Sequence, residues 1–348
     1  MSEIPLIPLS RATQQYLKYA RALAVAEMKQ SLELQNAPSL KRLRQLLEDV
    51  SIAKTMVQKI IDVLNSTLSH HLLSFTPSEF AQTLTGLDAR LLARVRVSNP
   101  DIAQTFDGAA AMVEFHQYLE TALISCILSG SDKTKDFQKI ATARLEFLIS
   151  TAFVLFYTYR NLASSSTICQ VLGSPLIQSL KNAWKALPPA SSKMRAHLAD
   201  LIKDDPKAHH RLVADMLSFH QQQGQITVIP NLVIIVKELE EAFSSSTVHQ
   251  SHNGSVILSE RAQKCVYDHV HLVQACQGTS SMRYEKPFSD GASAGQIKIK
   301  QDVQLPPAPT DLSETIQGNL ALEHWILTRI YQTDEKVWHD CLQLVEAQ

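Results

Sequence analysis

The residues from about Phe137 to Arg160 constrain the fold of this chain more than any other stretch. They have helical spacing, and their apolar side chains fall on several sides of the helix. A helix with this pattern has to be surrounded by other elements, because any exposed apolar side would face water. The most apolar run, around Phe147 to Tyr157, contains Ser150 and Thr151 and is too short for a membrane span. The pattern therefore predicts the central helix of a helical bundle.

Helical spacing of apolar residues recurs along most of the chain, and helix-start signals separate the segments. The clearest start is at Thr76, Pro77 and Glu79, where a cap residue, a proline and an acid predict a capping box. The chain has only 10 glycines in 348 residues, which favours helices over tight turns. We therefore predict an all-α protein, with helices near residues 10–35, 39–64, 76–92, 108–128, 137–160, 164–172, 175–184, 194–201, 209–219, 230–245, 258–275, 312–331 and 333–345.

The composition excludes several classes of protein. Hydrophobic residues make up 45% and charged residues 19%, which is typical of a folded globular chain. The formal net charge is -1, so nothing in the overall charge favours a nucleic-acid partner. The five cysteines are widely spaced and form no CxxC pair, which favours buried thiols in a reducing compartment. With no signal peptide or transmembrane segment expected, the predicted location is the cytoplasm.

A search for catalytic and metal-binding motifs is negative. The sequence contains no P-loop, GxGxxG, HExxH, CxxC or GxSxG pattern. His249 and His252 have the spacing of metal ligands, but they lie in a serine-rich loop with no obvious third ligand. We interpret Ser164–Ser166 as a helix start, and Cys265 and Cys276 as core residues on one helix face. We therefore expect no metal, no cofactor and no covalent chemistry, which favours a protein that acts by binding.

The stretch from Pro230 to Ser245 has two different halves. A proline is followed by an apolar block from Leu232 to Val236, and then by an acidic, amphipathic segment. Leu239 and Phe243 are four residues apart and so share one helix face. The remaining surface carries Lys237, Glu238, Glu240 and Glu241. This pattern predicts a helix that begins in the core and ends with a charged surface.

Four segments, in the same order, resemble the catalytic domain of the Ras-type guanine-nucleotide exchange factors. The first is similar to the opening helix of that family. The second is similar to its Arg-Asn segment, small-residue helix and Ser-Pro start. The third is similar to the proline loop and wedge helix, and the fourth to the helix that pairs with the wedge. The segments are FTPSEFAQTLTGLDARLLARV at 75–95, YRNLASSSTICQVLGSPLIQSLKNAW at 159–184, HRLVADML at 210–217 with ITVIPNLVIIVKELEEAFS at 226–244, and ILSERAQKCVYDHVHLVQACQ at 257–277.

The resemblance implies an all-α, multi-helix orthogonal bundle with a protruding helical hairpin at about 230–277. It also implies an exchange factor for a Ras-superfamily small GTPase. In such proteins the hairpin opens the nucleotide site, side chains disturb the Mg²⁺ and phosphate pockets, and GTP replaces GDP. The wedge residues that this assigns to catalysis are Glu238, Glu240, Glu241 and Ser244. The residues that it assigns to GTPase binding are Gln82, Asn161, Ala163 and Lys237.

Several of these positions depart from the family pattern. Gln82 stands where the family has arginine, Ala163 replaces a second asparagine, and Ser244 replaces an acidic residue. Glu240 lies where the family often has an apolar side chain or threonine. Two alternatives to an exchange factor therefore stay open. One is a non-catalytic GTPase-binding or scaffold protein on the same fold, and the other is an unrelated helical interaction protein.

The resemblance covers about residues 75–280 and so suggests two parts. We expect residues 1–70 to form an N-terminal helical brace or support segment, and residues 71–348 to form the catalytic domain. A GTPase partner implies recruitment to a membrane through that GTPase. The expected location is the cytoplasm, or the host cytosol if the chain is a bacterial effector.

Overall fold

A computed structural model describes residues 7–36, 39–97, 106–129, 137–203, 205–221, 228–244, 249–250, 256–257, 259–277 and 319–329. The helix expected at 333–345 and the start, 312–318, of the helix expected at 312–331 lie outside these residues. The described α-helices are α1 (Arg11–Gln35), α2 (Leu40–Ser66), α3 (Pro77–Leu92), α4 (Ala109–Leu128), α5 (Phe137–Val154), α6 (Leu162–Gly173), α7 (Pro175–Gln178), α8 (Lys181–Lys185), α9 (Pro189–Leu201), α10 (Pro206–Gln221), α11 (Leu232–Ser244), α12 (Glu260–Cys276) and α13 (Leu320–Leu327).

The described strands are two antiparallel pairs of two residues each. Strand β1 (Arg96–Val97) pairs with β2 (Phe106–Asp107), and β3 (His249–Gln250) pairs with β4 (Val256–Ile257). Each pair lies in the connection between two helices, β1 and β2 between α3 and α4, and β3 and β4 between α11 and α12. Gly108 follows β2 and has a φ of 86°, a left-handed conformation that glycine adopts without strain. The predicted all-α fold is confirmed.

The chain divides into two compact units, and the first contains α1, α2 and α13. Helices α1 and α2 run antiparallel, because Lys54 lies 3.3 Å from Glu27 and Arg42 lies 3.7 Å from Glu33. Helix α13 packs on both of them. The Glu323 carboxylate is 1% exposed, and it accepts hydrogen bonds from the backbone N–H of Arg11 at 2.8 Å and from its Nε at 2.6 Å.

The second unit is built around α5, and its described helices and strands lie within Phe75–Gln317. Helix α5 packs against α3, α4, α6, α8 and α9, and it continues as a π-helix from Leu155 to Tyr159. The prediction of a central helix is therefore confirmed. The prediction that this run is too short for a membrane span is wrong, because Phe137–Tyr159 forms 23 helical residues. Most of its apolar surface is buried by the surrounding helices, as in the core helix of a bundle.

Local signals in the sequence predict the start of α3 correctly, whereas α6 and α9 begin before the predicted residues. The capping box forms as predicted, because Thr76 accepts from the backbone of Glu79 and the Glu79 carboxylate accepts from the backbone of Thr76. Helix α9 begins at Pro189 and not at Met194, since proline suits the first helical position. Helix α6 begins at Leu162 and not at the serine run, because Asn161 caps it.

Candidate functional site

Helices α11 and α12 form a helical hairpin whose connecting segment contains the β3–β4 pair. Helix α11 also packs on α4 and α10, and α12 also packs on α10 and β1. At the end of α12, the Gln277 amide donates hydrogen bonds to the backbone oxygens of Leu92 at 2.8 Å and Val95 at 2.9 Å. The hairpin is thus fixed to the bundle at the end where α11 begins and α12 finishes.

Helix α11 changes from a core helix to a surface helix along its length. Leu232, Ile234, Ile235 and Leu239 are buried. The side chains of Lys237, Glu240, Glu241 and Ser244 are exposed, and Glu238 is half-buried. At the connecting end of the hairpin, residues 240–244 and 259–264 contain a single buried side chain, that of Ala262. The end furthest from the bundle therefore carries polar and acidic side chains.

The segment before α11 is buried and is held by backbone hydrogen bonds. Val228, Ile229 and Pro230 have almost no exposure. The Ile229 N–H donates to the Arg160 carbonyl at 3.1 Å, and the Ile229 carbonyl accepts from the Leu162 N–H at 2.9 Å. These two bonds form a parallel bridge between Asn161 and Ile229. The start of α11 is therefore fixed to the start of α6.

The turn that receives Ile229 has an unusual backbone. The π-helix ends at Tyr159, and Arg160 then has a φ of 51°, the single left-handed non-glycine residue among the described residues. A left-handed conformation is costly for a residue with a side chain, so the surrounding contacts have to stabilise it. π-helical turns are often found at functional sites. This turn points the backbone groups of Arg160 and Leu162 at the segment before α11.

A buried polar network contacts the same turn on the side of α3 and α4. Asp88 on α3 is fully buried, and its Oδ2 accepts from the Asn161 amide at 2.7 Å and from the Ser164 hydroxyl at 2.5 Å. His116 on α4 has Nε2 at 3.1 Å from Asp88 Oδ1, an ion-pair distance that does not meet the geometry of a hydrogen bond. The other ring nitrogen of His116 lies 2.9 Å from the Thr167 hydroxyl on α6. The network joins α3, α4 and α6 beneath the start of α11.

Asn161 and Ala163 belong to this buried support. Both have 0% exposure, so neither side chain presents surface to a partner in this conformation. The Asn161 side chain caps α6 through the Ser164 N–H and also donates to Asp88. Ala163 accepts from Thr167 through its backbone carbonyl. Gln82 is half-buried and lies on α3, whereas the exposed residues Lys237, Glu240, Glu241 and Ser244 lie on α11.

Histidines from α10 and α12 surround Glu238. The His269 Nε2 lies 2.9 Å from Glu238 Oε2, and this hydrogen bond lowers the pKa of Glu238. The His210 ring lies 5.8 Å from the His269 ring between centroids. Burial lowers the pKa of His209 to about 4, and its Nε2 accepts from the Asn231 N–H at 3.2 Å. His209 is therefore neutral near pH 7 and fixes the residue that precedes α11.

The sequence analysis missed Asp88, His116 and His269 as residues that position the hairpin. A signal for Asp88 exists in the sequence, because a charged residue interrupts the otherwise apolar face of α3 between Leu84 and Leu92. A charge in such a position requires a buried partner. The identity of that partner depends on long-range packing, so the spacing along one helix does not reveal it.

Comparison with known protein families agrees with the position of the hairpin. The sequence model of the RasGEF domain matches residues 79–266, more than half of the chain. The matched range begins in α3, includes the buried network and the whole of α11, and ends in α12. No curated protein matches the chain significantly.

Proposed function

Because the chain belongs to the RasGEF domain family, we propose that it is a guanine-nucleotide exchange factor for a Ras-superfamily small GTPase. The observation that supports this most directly is the hairpin, whose helix α11 lies wholly within the matched range. Its base is fixed by buried contacts, and its far end exposes Lys237, Glu240, Glu241 and Ser244. A protein with this arrangement catalyses exchange by binding and needs no covalent step.

In the proposed mechanism, α11 enters the nucleotide site of the GTPase. The carboxylates of Glu240 and Glu241 repel the phosphates of the bound nucleotide and compete for its Mg²⁺ ion. An exchange factor binds the nucleotide-free GTPase more tightly than the loaded form. By thermodynamic linkage it weakens nucleotide binding by the same factor, so GDP leaves and GTP takes its place.

The buried residues contribute by holding α11 in position. A helix that inserts into a partner has to keep its position on its own bundle. If the start of α11 moved on binding, part of the binding free energy would be lost to that displacement. The Asn161–Ile229 bridge and the His209–Asn231 hydrogen bond fix the start of α11 from two sides. We assign Asn161 and Ala163 to this support, and Glu240, Glu241, Ser244 and Lys237 to the contact surface. Glu238 is assigned to the hairpin interior through its bond to His269.

The proposal also covers the organisation and location of the chain. Residues 1–70 are proposed to be a helical support segment, on which α13 packs, and residues 71–348 are proposed to contain the exchange domain. A small GTPase partner places the protein in the cytosol of the cell where it acts, with membrane recruitment through that GTPase.

The test is release of fluorescent GDP from a panel of small GTPases of the Ras, Rap, Ral, Rho, Rab, Arf and Ran types, with excess unlabelled GTP. We expect the full chain to accelerate release from one type. The double variant Glu240→Lys/Glu241→Lys should lose the acceleration, because it places positive charge beside the phosphates. The matched control is Glu48→Lys/Asp49→Lys, an exposed acidic pair on α2 with the same change of charge.

Three results would contradict this proposal in different ways. Equal loss in both double variants would indicate a general charge effect and not a wedge. Binding to a nucleotide-free GTPase without acceleration would favour a non-catalytic scaffold on the same fold, which the departures at Gln82 and Ala163 also favour. Neither binding nor acceleration across the panel would refute a GTPase partner.

A further inference from the structure

Three side chains with metal-binding atoms meet where α11 packs on α12. Glu238 comes from α11, and Cys265 and His269 come from α12. One ligand atom of each lies within 4.8 Å of the ligand atoms of the other two. Across the residues that the structure describes, no second group of three His, Cys, Asp or Glu side chains meets in this way.

The geometry of the two helices explains why these side chains converge. Cys265 and His269 are four residues apart on α12, so they lie on one face of that helix. This face is turned toward α11, because His269 is buried and its Nε2 lies 2.9 Å from Glu238 Oε2. The spacing of apolar residues predicts Cys265 as a core residue of α12. The third ligand is on another helix, 31 residues from His269, and no local spacing reveals it.

Both ring nitrogens of His269 have a part in the site. Nε2 faces Glu238 and is the atom that would bind an ion. Nδ1 is buried, and within the described part of the chain it has no hydrogen-bond partner, so an ordered water would pair with it when Nε2 binds the ion. Cys265 is a free cysteine. Burial, with the nearby Glu238 and Asp268 carboxylates, raises the pKa of its thiol to about 11.

The set of donor atoms selects the type of ion. A thiolate, an imidazole and a carboxylate are the ligands that zinc takes in proteins, whereas Ca²⁺ and Mg²⁺ take oxygen ligands. Neighbouring ligands of a tetrahedral zinc ion lie about 3.3 to 3.6 Å apart, from bond lengths of about 2.0 to 2.3 Å. The His269–Glu238 separation of 2.9 Å and the upper limit of 4.8 Å bracket this range.

We propose that Glu238, Cys265 and His269 bind one Zn²⁺ ion between α11 and α12, with the fourth position open to water. Binding replaces the hydrogen bond between His269 and Glu238 with two metal bonds. The Cys265 thiol loses its proton to solvent and binds as the thiolate. The ion then joins the two helices of the hairpin. This inference does not depend on exchange activity, because metal binding is a property of the chain by itself.

The first experiment measures zinc binding by the full-length protein. The protein is treated with a chelator, dialysed, and titrated with Zn²⁺ in competition with a chromophoric chelator. We expect one high-affinity Zn²⁺ ion per chain. The double variant Cys265→Ser/His269→Gln should lose this binding, and the matched double variant Cys126→Ser/His271→Gln should retain it. Far-ultraviolet circular dichroism establishes that each variant is folded before the titration.

The second experiment uses Co²⁺ as a spectroscopic substitute for Zn²⁺. Tetrahedral Co²⁺ with a thiolate ligand gives visible absorption bands and a near-ultraviolet sulfur-to-cobalt charge-transfer band. The charge-transfer band should appear in the native sequence and in Cys126→Ser, and it should be absent in Cys265→Ser. The proposal is overturned if the folded native protein binds neither ion stoichiometrically, or if the two double variants bind Zn²⁺ equally well.

Discussion

Replacement of Asn161 by alanine tests whether this residue acts as a buried support for the hairpin. The change removes the hydrogen bond from the amide to the Asp88 carboxylate and the bond from the Ser164 N–H to the side-chain oxygen. It also removes a long bond from the amide to the Thr85 hydroxyl, at 3.5 Å. A hydrogen bond to a buried charged group contributes about 1.5 to 3 kcal/mol. Loss of an N-cap costs about 1 kcal/mol. The expected loss of unfolding free energy is therefore roughly 2.5 to 4 kcal/mol.

The variant Asn161→Asp separates the two contributions. Aspartate is as good an N-cap residue as asparagine, so the cap on α6 is retained. Its second oxygen, however, takes the place of the amide that lies 2.7 Å from Asp88 Oδ2. An uncompensated buried charge of this kind costs about 3 to 5 kcal/mol. We therefore expect Asn161→Asp to be at least as destabilising as Asn161→Ala, although it is the closer match in shape.

The assay is urea unfolding followed by far-ultraviolet circular dichroism, together with hydrogen exchange at the backbone amide of Ser164. The control is Asn182→Ala on α8, an exposed asparagine whose replacement should change the unfolding free energy by less than about 0.5 kcal/mol. Asn161→Ala should also accelerate exchange at the Ser164 amide. A loss below about 1 kcal/mol, or an Asn161→Asp variant as stable as the native chain, would refute the role of the network.

Four further predictions test other parts of the fold. Thr76→Ala should lower the unfolding free energy by about 1 kcal/mol in a urea titration. The hydrogen bonds from Thr76 lower the pKa of Glu79 from its ordinary value of 4.5. The difference in stability between the native chain and Glu79→Gln should therefore shrink as the pH falls below 4.5. Gly108→Ala should cost about 1 to 3 kcal/mol, since its φ is +86° and the added Cβ would lie 2.9 Å from a backbone oxygen; a thermal melt equal to the native one would contradict this. Trp325→Phe should cost about 1 to 3 kcal/mol by removing the indole hydrogen bond to a backbone oxygen at 2.9 Å, which hydrogen exchange in α2 and α13 would report.

Much of the fold follows from local physical chemistry. Helical spacing and caps predict α1 to α6 and α10 to α12 to within a few residues, because each signal involves side chains less than two turns apart. The errors at the starts of α6 and α9 share one cause. The residue that determines each start, the cap Asn161 or the first helical residue Pro189, comes before the apolar residues whose spacing suggested the helix.

The candidate site is less visible in the sequence because it depends on contacts between distant segments. Asp88 is 73 residues from Asn161, and His116 is 51 residues from Thr167. Each residue alone is compatible with an exposed polar side chain. Only packing of α3, α4 and α6 decides that Asn161 is fully buried. The exposed residues of α11 are easier to predict, because helical periodicity alone separates Glu240 and Glu241 from the buried Ile235 and Leu239.

The unit formed by α1, α2 and α13 has a consequence for how the chain folds during synthesis. Arg11 pairs with Glu323, which is 312 residues further along the chain. A ribosome therefore releases α1 and α2 long before the helix that covers them exists, whereas the contacts around α5 lie within Phe75–Gln317. The apolar face of α1 and α2 that α13 covers stays accessible throughout that interval. These two helices are therefore most exposed to aggregation while the RasGEF domain is still being translated.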